Sequence, residues 1–87
     1  MNPESLLEFP CVFPFKIIGK NSVDFKTSIV KVVTRHAPDF DPNSAEARPS
    51  KHGTYSSVTC TVNAVSQNQL NNLYRDLSKL NQVKMVL

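Results

Sequence analysis

A chain of 87 residues, 40% hydrophobic and 20% charged, has the composition of one small globular domain and is too apolar for a disordered segment. Its formal net charge of +3 includes ten lysine and arginine residues, which are scattered without a basic run. Proteins that bind nucleic acid usually concentrate such residues on one segment or face, so the composition argues against that class.

The sequence carries no recognisable membrane or export segment. No stretch approaches the ~20 apolar residues that a membrane-spanning helix requires. The first ten residues have no basic flank, and Glu8 and Pro10 interrupt their short apolar run, which is not typical of a secretion signal. Cys11 and Cys60 form no C-x-x-C pair and are expected to be free thiols. We therefore expect a cytoplasmic protein without a membrane contact.

Residues 1–11 are predicted to lead into a single domain over residues 12–87. The first element of this domain is a strand at 12–19, because apolar side chains recur at every second position and so share one face. Those side chains are Phe13, Phe15 and Ile17. Gly19 ends the strand.

A helix is predicted next, over residues 22–37. Asn21 or Ser22 supplies its N-terminal cap, since a short polar side chain there accepts from the first free backbone N–H groups. The residues that recur at the spacing of one helical face are Phe25, Ile29, Val32, Val33 and His36. Pro38 disfavours helical geometry at the residue before it and ends the helix.

The polar segment 39–53 is predicted to contain one weak strand. Two alanines alternate there with polar residues, in the order Ser44, Ala45, Glu46, Ala47, Arg48. Pro49 has no N–H to donate to a ladder, so this strand should lie at an edge of the sheet.

A long strand at 54–64 has two unlike faces. Its apolar face consists of Val58, Cys60, Val62 and Ala64. Its polar face consists of Tyr55, Ser57, Thr59, Thr61 and Asn63. This alternation is typical of a strand with one face in a core and the other uncovered.

The second helix, at 66–80, has the clearest start in the chain. Ser66 stands three residues before Gln69, which is the spacing of a capping box. The apolar stripe of this helix consists of Leu70, Leu73, Tyr74, Leu77 and Leu80. A last strand at 83–87 is predicted to place Val83, Met85 and Leu87 on one face, with Lys84 and Val86 on the other.

The element order β-α-β-β-α-β predicts a ferredoxin-like two-layer sandwich, an α+β fold with a four-stranded antiparallel sheet in the order 4-1-3-2. Right-handed crossovers place both helices on one face of this sheet. The other face, here called the open face, carries the hydroxyl groups because no helix covers it. The predicted core comprises Phe13, Phe15, Ile17, Phe25, Ile29, Val33, Val58, Cys60, Val62, Leu70, Leu73, Leu77 and Met85.

Four short motifs follow one another along nearly the whole chain: LLEFP at 6–10, RHAP at 35–38, S-x-x-G-x-Y-x-S-V at 50–58 and MVL at 85–87. In these motifs the sequence resembles the YbeD-like family of small bacterial proteins of unknown function. The resemblance implies a ferredoxin-like fold similar to the ACT regulatory domains of amino-acid-metabolism enzymes, and it implies no established activity. The chain departs from the family pattern at 43–48, which leaves the length of the second strand open.

The sequence assembles no catalytic or metal-binding pattern. His36 falls at the end of the first helix, where a partly positive imidazole suits the helix dipole, and His52 falls in a solvated hairpin. Together with the two cysteines these residues match no zinc-site spacing. The chain has only two glycines, which is too few for the glycine-rich type of loop that binds phosphate groups. We therefore expect no metal, no cofactor and no enzyme activity.

An RNA-recognition motif has the same element order and stacks bases on aromatic side chains of its central strands. When Gly53 is aligned with the glycine of that motif, Thr54 and Ser56 fall where the rings belong. Hydroxyl groups do not replace ring stacking worth ~1–3 kcal/mol per base. A nucleic-acid platform on the open face is therefore the alternative hypothesis and not the preferred one.

The similarity to ACT domains implies a different site, a glycine-bearing turn between the first strand and the first helix that holds an amino acid. Here Gly19, Asn21 and Ser22 could accept a small carboxylate ligand, because free amides at the helix start bind anions. The D-x-P-G turn common in ligand-binding ACT domains is missing. A capped turn without a ligand is the alternative.

The hypothesis favoured by the sequence is a cytoplasmic, non-enzymatic interaction or regulatory module. Its open face would dock a protein partner or a second copy of the chain, with Tyr55 as the aromatic anchor. The residues assigned to this face are Lys16, Tyr55, Ser57, Thr59, Thr61 and Lys84. Since threonine is also a good strand former, a merely solvated face remains the alternative.

Overall fold

The computed structural model of the chain describes residues 8–87. Most of the predicted lead-in at 1–11, and part of the LLEFP motif, therefore lie outside the described residues. The elements follow the predicted order: β1 (Cys11–Lys20), α1 (Phe25–His36), β2 (Glu46–Pro49), β3 (Tyr55–Ala64), α2 (Gln67–Ser78) and β4 (Val83–Val86). A short 3₁₀ turn, Pro42–Ser44, precedes β2.

The four strands form one antiparallel sheet in the order β2-β3-β1-β4, with both helices on one face, which confirms the predicted ferredoxin-like sandwich. The two long central strands pair along their full length, from Cys11 opposite Ala64 to Lys20 opposite Tyr55. Because side chains alternate along a strand, this register brings the apolar sides of both strands to the helix-covered face.

The core between sheet and helices matches the prediction at all but two of its positions. Phe13 is half-buried and packs on Phe15, with ring centroids 5.0 Å apart. Phe40 and Ala45, in the segment predicted to be polar, are also buried and close one end of the core. The buried residues are Phe15, Ile17, Phe25, Ile29, Val32, Val33, Ala37, Phe40, Ala45, Val58, Cys60, Val62, Ala64, Leu70, Leu73, Leu77 and Val86.

The second discrepancy is Met85, whose predicted place in the core is wrong. Ile18 pairs with Met85 whereas the next residue of β1, Gly19, pairs with Val83, so Lys84 is an extra residue in a β-bulge. A bulge reverses the alternation beyond it. Val86 consequently lies opposite Ile17 and is buried, while Met85 is 52% exposed.

Strand β4 pairs with only the C-terminal half of β1. Leu87 donates its N–H to the Lys16 carbonyl at 2.8 Å, and Lys16 donates its N–H to the Leu87 carbonyl at 3.2 Å. No described strand pairs with residues 11–15 on this side. The backbone N–H and C=O groups of every second residue in a strand point toward the same neighbouring strand. Pro14 therefore faces the unpaired side of β1, just as Lys16 faces Leu87.

The start of α1 differs from the prediction that Asn21 or Ser22 caps it. The helix begins at Phe25, and Asp24 precedes it without a side-chain hydrogen bond to the backbone of the helix. The Ser22 hydroxyl donates to the Asp24 carboxylate at 3.1 Å. The Asn21 side-chain amide donates to the Gly53 carbonyl at 3.0 Å, so this residue is held by the β2–β3 connection and not by the helix.

The predicted cap of α2 is confirmed. Ser66 Oγ accepts from the Gln69 N–H at 3.1 Å, and Gln69 Oε1 accepts from the Val65 N–H at 2.7 Å. The Gln69 amide nitrogen also donates to the carbonyl of His36, at 2.9 Å. One glutamine therefore joins the start of α2 to the end of α1.

A second contact between the helices is made by His36, which lies at a helix end as the sequence predicted. Its Nε2 lies 2.7 Å from Asp76 Oδ2 on α2. This hydrogen bond, together with the charges of neighbouring basic residues, lowers the pKa of Asp76 below its ordinary value of 3.8. The ionised carboxylate is thus the form that the folded state stabilises.

The Asp76→Asn variant should unfold at lower urea concentration than the parent at neutral pH. Because the pKa of Asp76 is lower in the folded state, the stabilisation is present above its ordinary value of 3.8 and is lost as the pH falls through the folded value. Urea titrations between pH 7 and pH 2 should show the parent and the variant converging in acid. Glu46→Gln controls for removal of one exposed carboxylate. A constant difference between the Asp76→Asn variant and the parent across that range would contradict the assignment.

Because of the bulge, truncating Val86 should cost much more stability than truncating its neighbour Met85. Val86→Ala should destabilise the fold by about 2 kcal/mol, because a buried side chain loses apolar contacts. Met85→Ala should change the free energy of unfolding by less than about 0.5 kcal/mol, since its side chain lies on the surface. Chemical denaturation of the two variants measures both values. A larger loss of stability for Met85→Ala than for Val86→Ala would contradict the bulge and support the register predicted from the sequence.

Candidate interaction face

The open face is built first from β3, whose predicted alternation is confirmed. Its apolar side chains are buried, and the others lie on the side of the sheet away from the helices. The residues of β3 on the open face are Tyr55, Ser57, Thr59, Thr61 and Asn63. Tyr55, at the start of the strand, is 44% exposed.

Strand β1 contributes a second row of side chains to the open face. The register sets Ile18 beside Ser57, and Lys16 beside Thr59. The full row consists of Val12, Pro14, Lys16, Ile18 and Lys20. Lys16 and three β3 residues of the predicted face, Ser57, Thr59 and Thr61, are therefore neighbours across two paired strands.

Strand β4 makes the open face more apolar than the sequence predicted. The bulge brings Met85 beside Ile18, and Leu87 lies beside Lys16 through its two backbone hydrogen bonds. Met85 and Leu87 are 52% and 61% exposed. With the apolar residues of β1 they form an apolar strip, defined as Val12, Pro14, Ile18, Met85 and Leu87, which Lys16 interrupts on β1. Lys84, which the sequence assigned to this face, is exposed within the bulge.

The charges on the open face are mainly positive. Arg48 on β2 lies opposite Ser57, and Glu46 lies opposite Thr59. With Lys16 and Lys20 of β1, the face carries three cationic side chains and one carboxylate. Within residues 8–87, none of these four groups forms an ion pair.

A cavity of about 170 Å³ lies on the open face where the β2–β3 hairpin meets β1. The hairpin is closed by the Ser50 N–H, which donates to the Tyr55 carbonyl at 2.7 Å, and by the Tyr55 N–H, which donates to Ser50 Oγ at 3.2 Å. Gly53, with φ of 73°, allows the chain to reverse. This hairpin pocket is lined by Lys16, Ile18, Arg48, Pro49, Ser50, Tyr55, Ser56 and Ser57.

In the turn predicted to bind a carboxylate, several polar groups already form hydrogen bonds within the chain. Both the backbone N–H and the side-chain amide of Asn21 donate to the hairpin, at Thr54 and Gly53. Ser22 donates to Asp24, which places a carboxylate of the chain in the turn. Gly19 is buried and lies in an ordinary strand conformation. Carboxylate binding at this turn stays a prediction.

Within residues 8–87, no group of three or more histidine, cysteine, aspartate or glutamate side chains could hold a metal ion. The described helices include none that is long and apolar enough to cross a membrane. Both cysteines are free. Cys60 lies in the core, and its burial raises the pKa of the thiol to about 11, so it remains protonated at neutral pH.

The fold and the uncovered sheet face define an ACT-like ferredoxin-fold domain. The ACT domain from the GTP pyrophosphokinase of Chlorobium tepidum, solved by NMR, is similar, with a TM-score of 0.69 and 14% identity over 88% of this chain and 83% of that one. Protein HP0495 of Helicobacter pylori is similar with a TM-score of 0.72 and 23% identity, over 93% of this chain and 85% of that one. At these identities the likeness concerns the fold.

Sequence similarity assigns the chain to one particular family. The family described as "Protein of unknown function (DUF493)" matches residues 4–87, and the chain belongs to this family. A UPF0250 protein from Nitrosomonas europaea is 46% identical over 87 residues, which is 100% of both chains. The resemblance to the YbeD-like family, and the ACT-like fold that it implied, are thereby confirmed.

Close packing around Gly19 leaves no space for a side chain, so replacing this glycine should lower the stability of the fold. A Cβ atom there would collide with the Gln82 backbone carbonyl and come within 2.6 Å of the Phe25 ring. Because a backbone carbonyl in a strand connection yields little, Gly19→Ala should destabilise the fold by about 1–3 kcal/mol. Urea denaturation measures this value, with Lys20→Ala as the control at an exposed neighbour. Equal stability of the Gly19→Ala variant and the parent would contradict the packing role.

Proposed function

We propose that this protein is a non-enzymatic interaction module of the cytoplasm whose open face docks an acidic protein partner. The observation that carries the proposal is the apolar strip, where Met85 is exposed beside Ile18 and Leu87 is exposed beside Lys16. Exposed apolar side chains that cluster on one face of a small domain are typical of an interaction site. The free thiols of Cys11 and Cys60 support a reducing compartment.

The size of the open face favours a transient complex. At about 3.3 Å per residue and about 4.8 Å between strands, the paired strands present roughly 450 Å². Counted on both partners, the contact stays below the roughly 1,200 Å² of a standard stable interface. An interface of this size suits a regulatory contact that forms and dissociates, in keeping with an ACT-like domain.

The charges of the face favour an acidic partner over a second copy of the chain. Lys16, Lys20 and Arg48 outnumber Glu46, so two such faces would bring like charges together. A partner with acidic residues around an apolar centre complements both features. Nucleic acid fits less well, because Tyr55 is the single aromatic side chain that the described strands place on this face.

Within the proposed interface, Ile18, Met85 and Leu87 form the apolar centre, and Tyr55 is an aromatic anchor at the hairpin end. Fully burying one such side chain contributes about 1.5–3 kcal/mol. These side chains are already partly buried, so docking removes only their exposed part from water, and association itself costs free energy. The apolar centre therefore favours weak, reversible binding that the charges of the face assist. The hydroxyl row of β3 supplies small hydrogen-bonding groups next to this centre.

The test identifies the partner and then measures its affinity. A photo-crosslinking residue placed at Thr61, on the open face, should capture an acidic protein from a lysate of the cells that naturally express this protein. The purified partner should bind the parent with micromolar affinity in calorimetry. Met85→Ser combined with Leu87→Ser should weaken that binding at least tenfold, because the apolar centre is lost.

Val23→Ser combined with Val65→Ser is the matched control, since both valines are exposed but lie off the sheet. This pair should leave the affinity unchanged. Binding that the Met85 and Leu87 pair leaves intact would overturn the proposal. So would sedimentation of the parent as a dimer that this pair dissociates, or capture of RNA with steeply salt-dependent affinity.

A further inference from the structure

The hairpin pocket combines two cationic side chains with an apolar wall. Lys16 comes from β1 and Arg48 from β2, and the one strand between them is β3. Strands separated by one neighbour lie about 10 Å apart, a gap that the long side chains of lysine and arginine can close over an anion. Within residues 8–87, neither cation has a carboxylate partner, although both line the same cavity.

The remaining lining of the hairpin pocket suits a small apolar group. Ile18, Pro49 and Tyr55 supply apolar surface, and Ser57, which lies on the open face, adds a hydroxyl group. A cavity of about 150 Å³ accepts one benzene ring. The volume of about 170 Å³ found here is therefore that of one ring or one branched side chain.

Hydrogen bonds within the chain hold the walls of the hairpin pocket. The buried Ser56 hydroxyl donates to the Arg48 carbonyl at 3.3 Å, which joins β2 to β3. The Asn21 amide holds the turn of the hairpin from outside through the Gly53 carbonyl. A preformed site avoids the entropy cost of ordering a loop when the ligand binds.

From this geometry we propose that the hairpin pocket binds a small oxyanion, a carboxylate or a phosphate monoester, carried on an apolar group of about one ring. Arg48 binds the oxyanion through its planar guanidinium and Lys16 through its ammonium group. The apolar group contacts Ile18, Pro49 and Tyr55. The ligand also relieves the repulsion between two cations that share one cavity.

This site is distinct from the turn at Gly19, Asn21 and Ser22, and it does not depend on the proposed docking of a protein. The two proposed sites share Lys16, Ile18, Arg48 and Tyr55, but Met85 and Leu87 of the docking site do not line the hairpin pocket. A variant that removes them should bind the small anion as the parent does. The two proposals can therefore fail separately.

NMR titration of the ¹⁵N-labelled chain tests the site with matched probes. Benzoate and phenyl phosphate carry the two oxyanions on the same ring, benzamide is the neutral control, and acetate and inorganic phosphate lack the ring. We expect saturable shifts of the Ile18, Tyr55 and Ser57 amides with benzoate or phenyl phosphate at millimolar concentration. Benzamide and the ringless anions should bind at least tenfold more weakly. The tighter of the two ring anions identifies the oxyanion class.

Variants then assign the charges. Arg48→Gln and Lys16→Gln should each raise the Kd of the tighter probe at least tenfold. Lys84→Gln removes the same charge from an exposed residue outside the hairpin pocket and should leave the Kd unchanged, as should the Met85→Ser, Leu87→Ser pair. Equal affinity for benzamide, equal losses with Lys84→Gln and Arg48→Gln, or shifts that map elsewhere would each overturn the proposal.

Discussion

The ten-residue pairing of β1 with β3 is the constraint on which the rest of this molecule depends. It sets Ile17 beside Val58 and Phe15 beside Cys60, and the helices pack on these buried side chains. A slip of one residue would turn every apolar side chain of one strand to the other face. The same pairing therefore determines both the core and the open face, since each strand supplies alternate residues to the two sides.

The two helices are joined to each other at the end of the core that lies near Ala64, and the hairpin is joined to β1 at the other end. Gln69 and the His36–Asp76 pair connect α2 to the end of α1. At the opposite end, Asn21 follows β1 and holds the β2–β3 hairpin. Groups that a sequence analysis would assign to helix caps or ligands thus serve to hold the elements together.

The sequence was sufficient to predict the elements that carry a long, consistent pattern. The alternation in β1 and β3 and the capping box at Ser66 lie within ten residues, so their structures followed directly. Strand β4 has only four residues, and apolar side chains fall on both of its faces, so periodicity could not reveal the bulge at Lys84. The apolar strip was missed for that reason. The hairpin pocket could not be predicted either, because the length and register of β2, which set Arg48 opposite Ser57, do not follow from a four-residue strand of mixed pattern.

Pro14 stands on the part of β1 that no described strand covers on the side of β4. An exposed strand edge with free N–H groups is a template on which strands of other molecules can add, and such addition leads to aggregation. Proline has no N–H to offer and is tolerated in strands mainly at such edges. The same residue that belongs to the apolar strip on the face of the sheet therefore removes one of the N–H groups that a fifth strand would need at this edge. Pro14 thus adds apolar surface to the face of the sheet while it makes the edge a poorer template for copies of the chain.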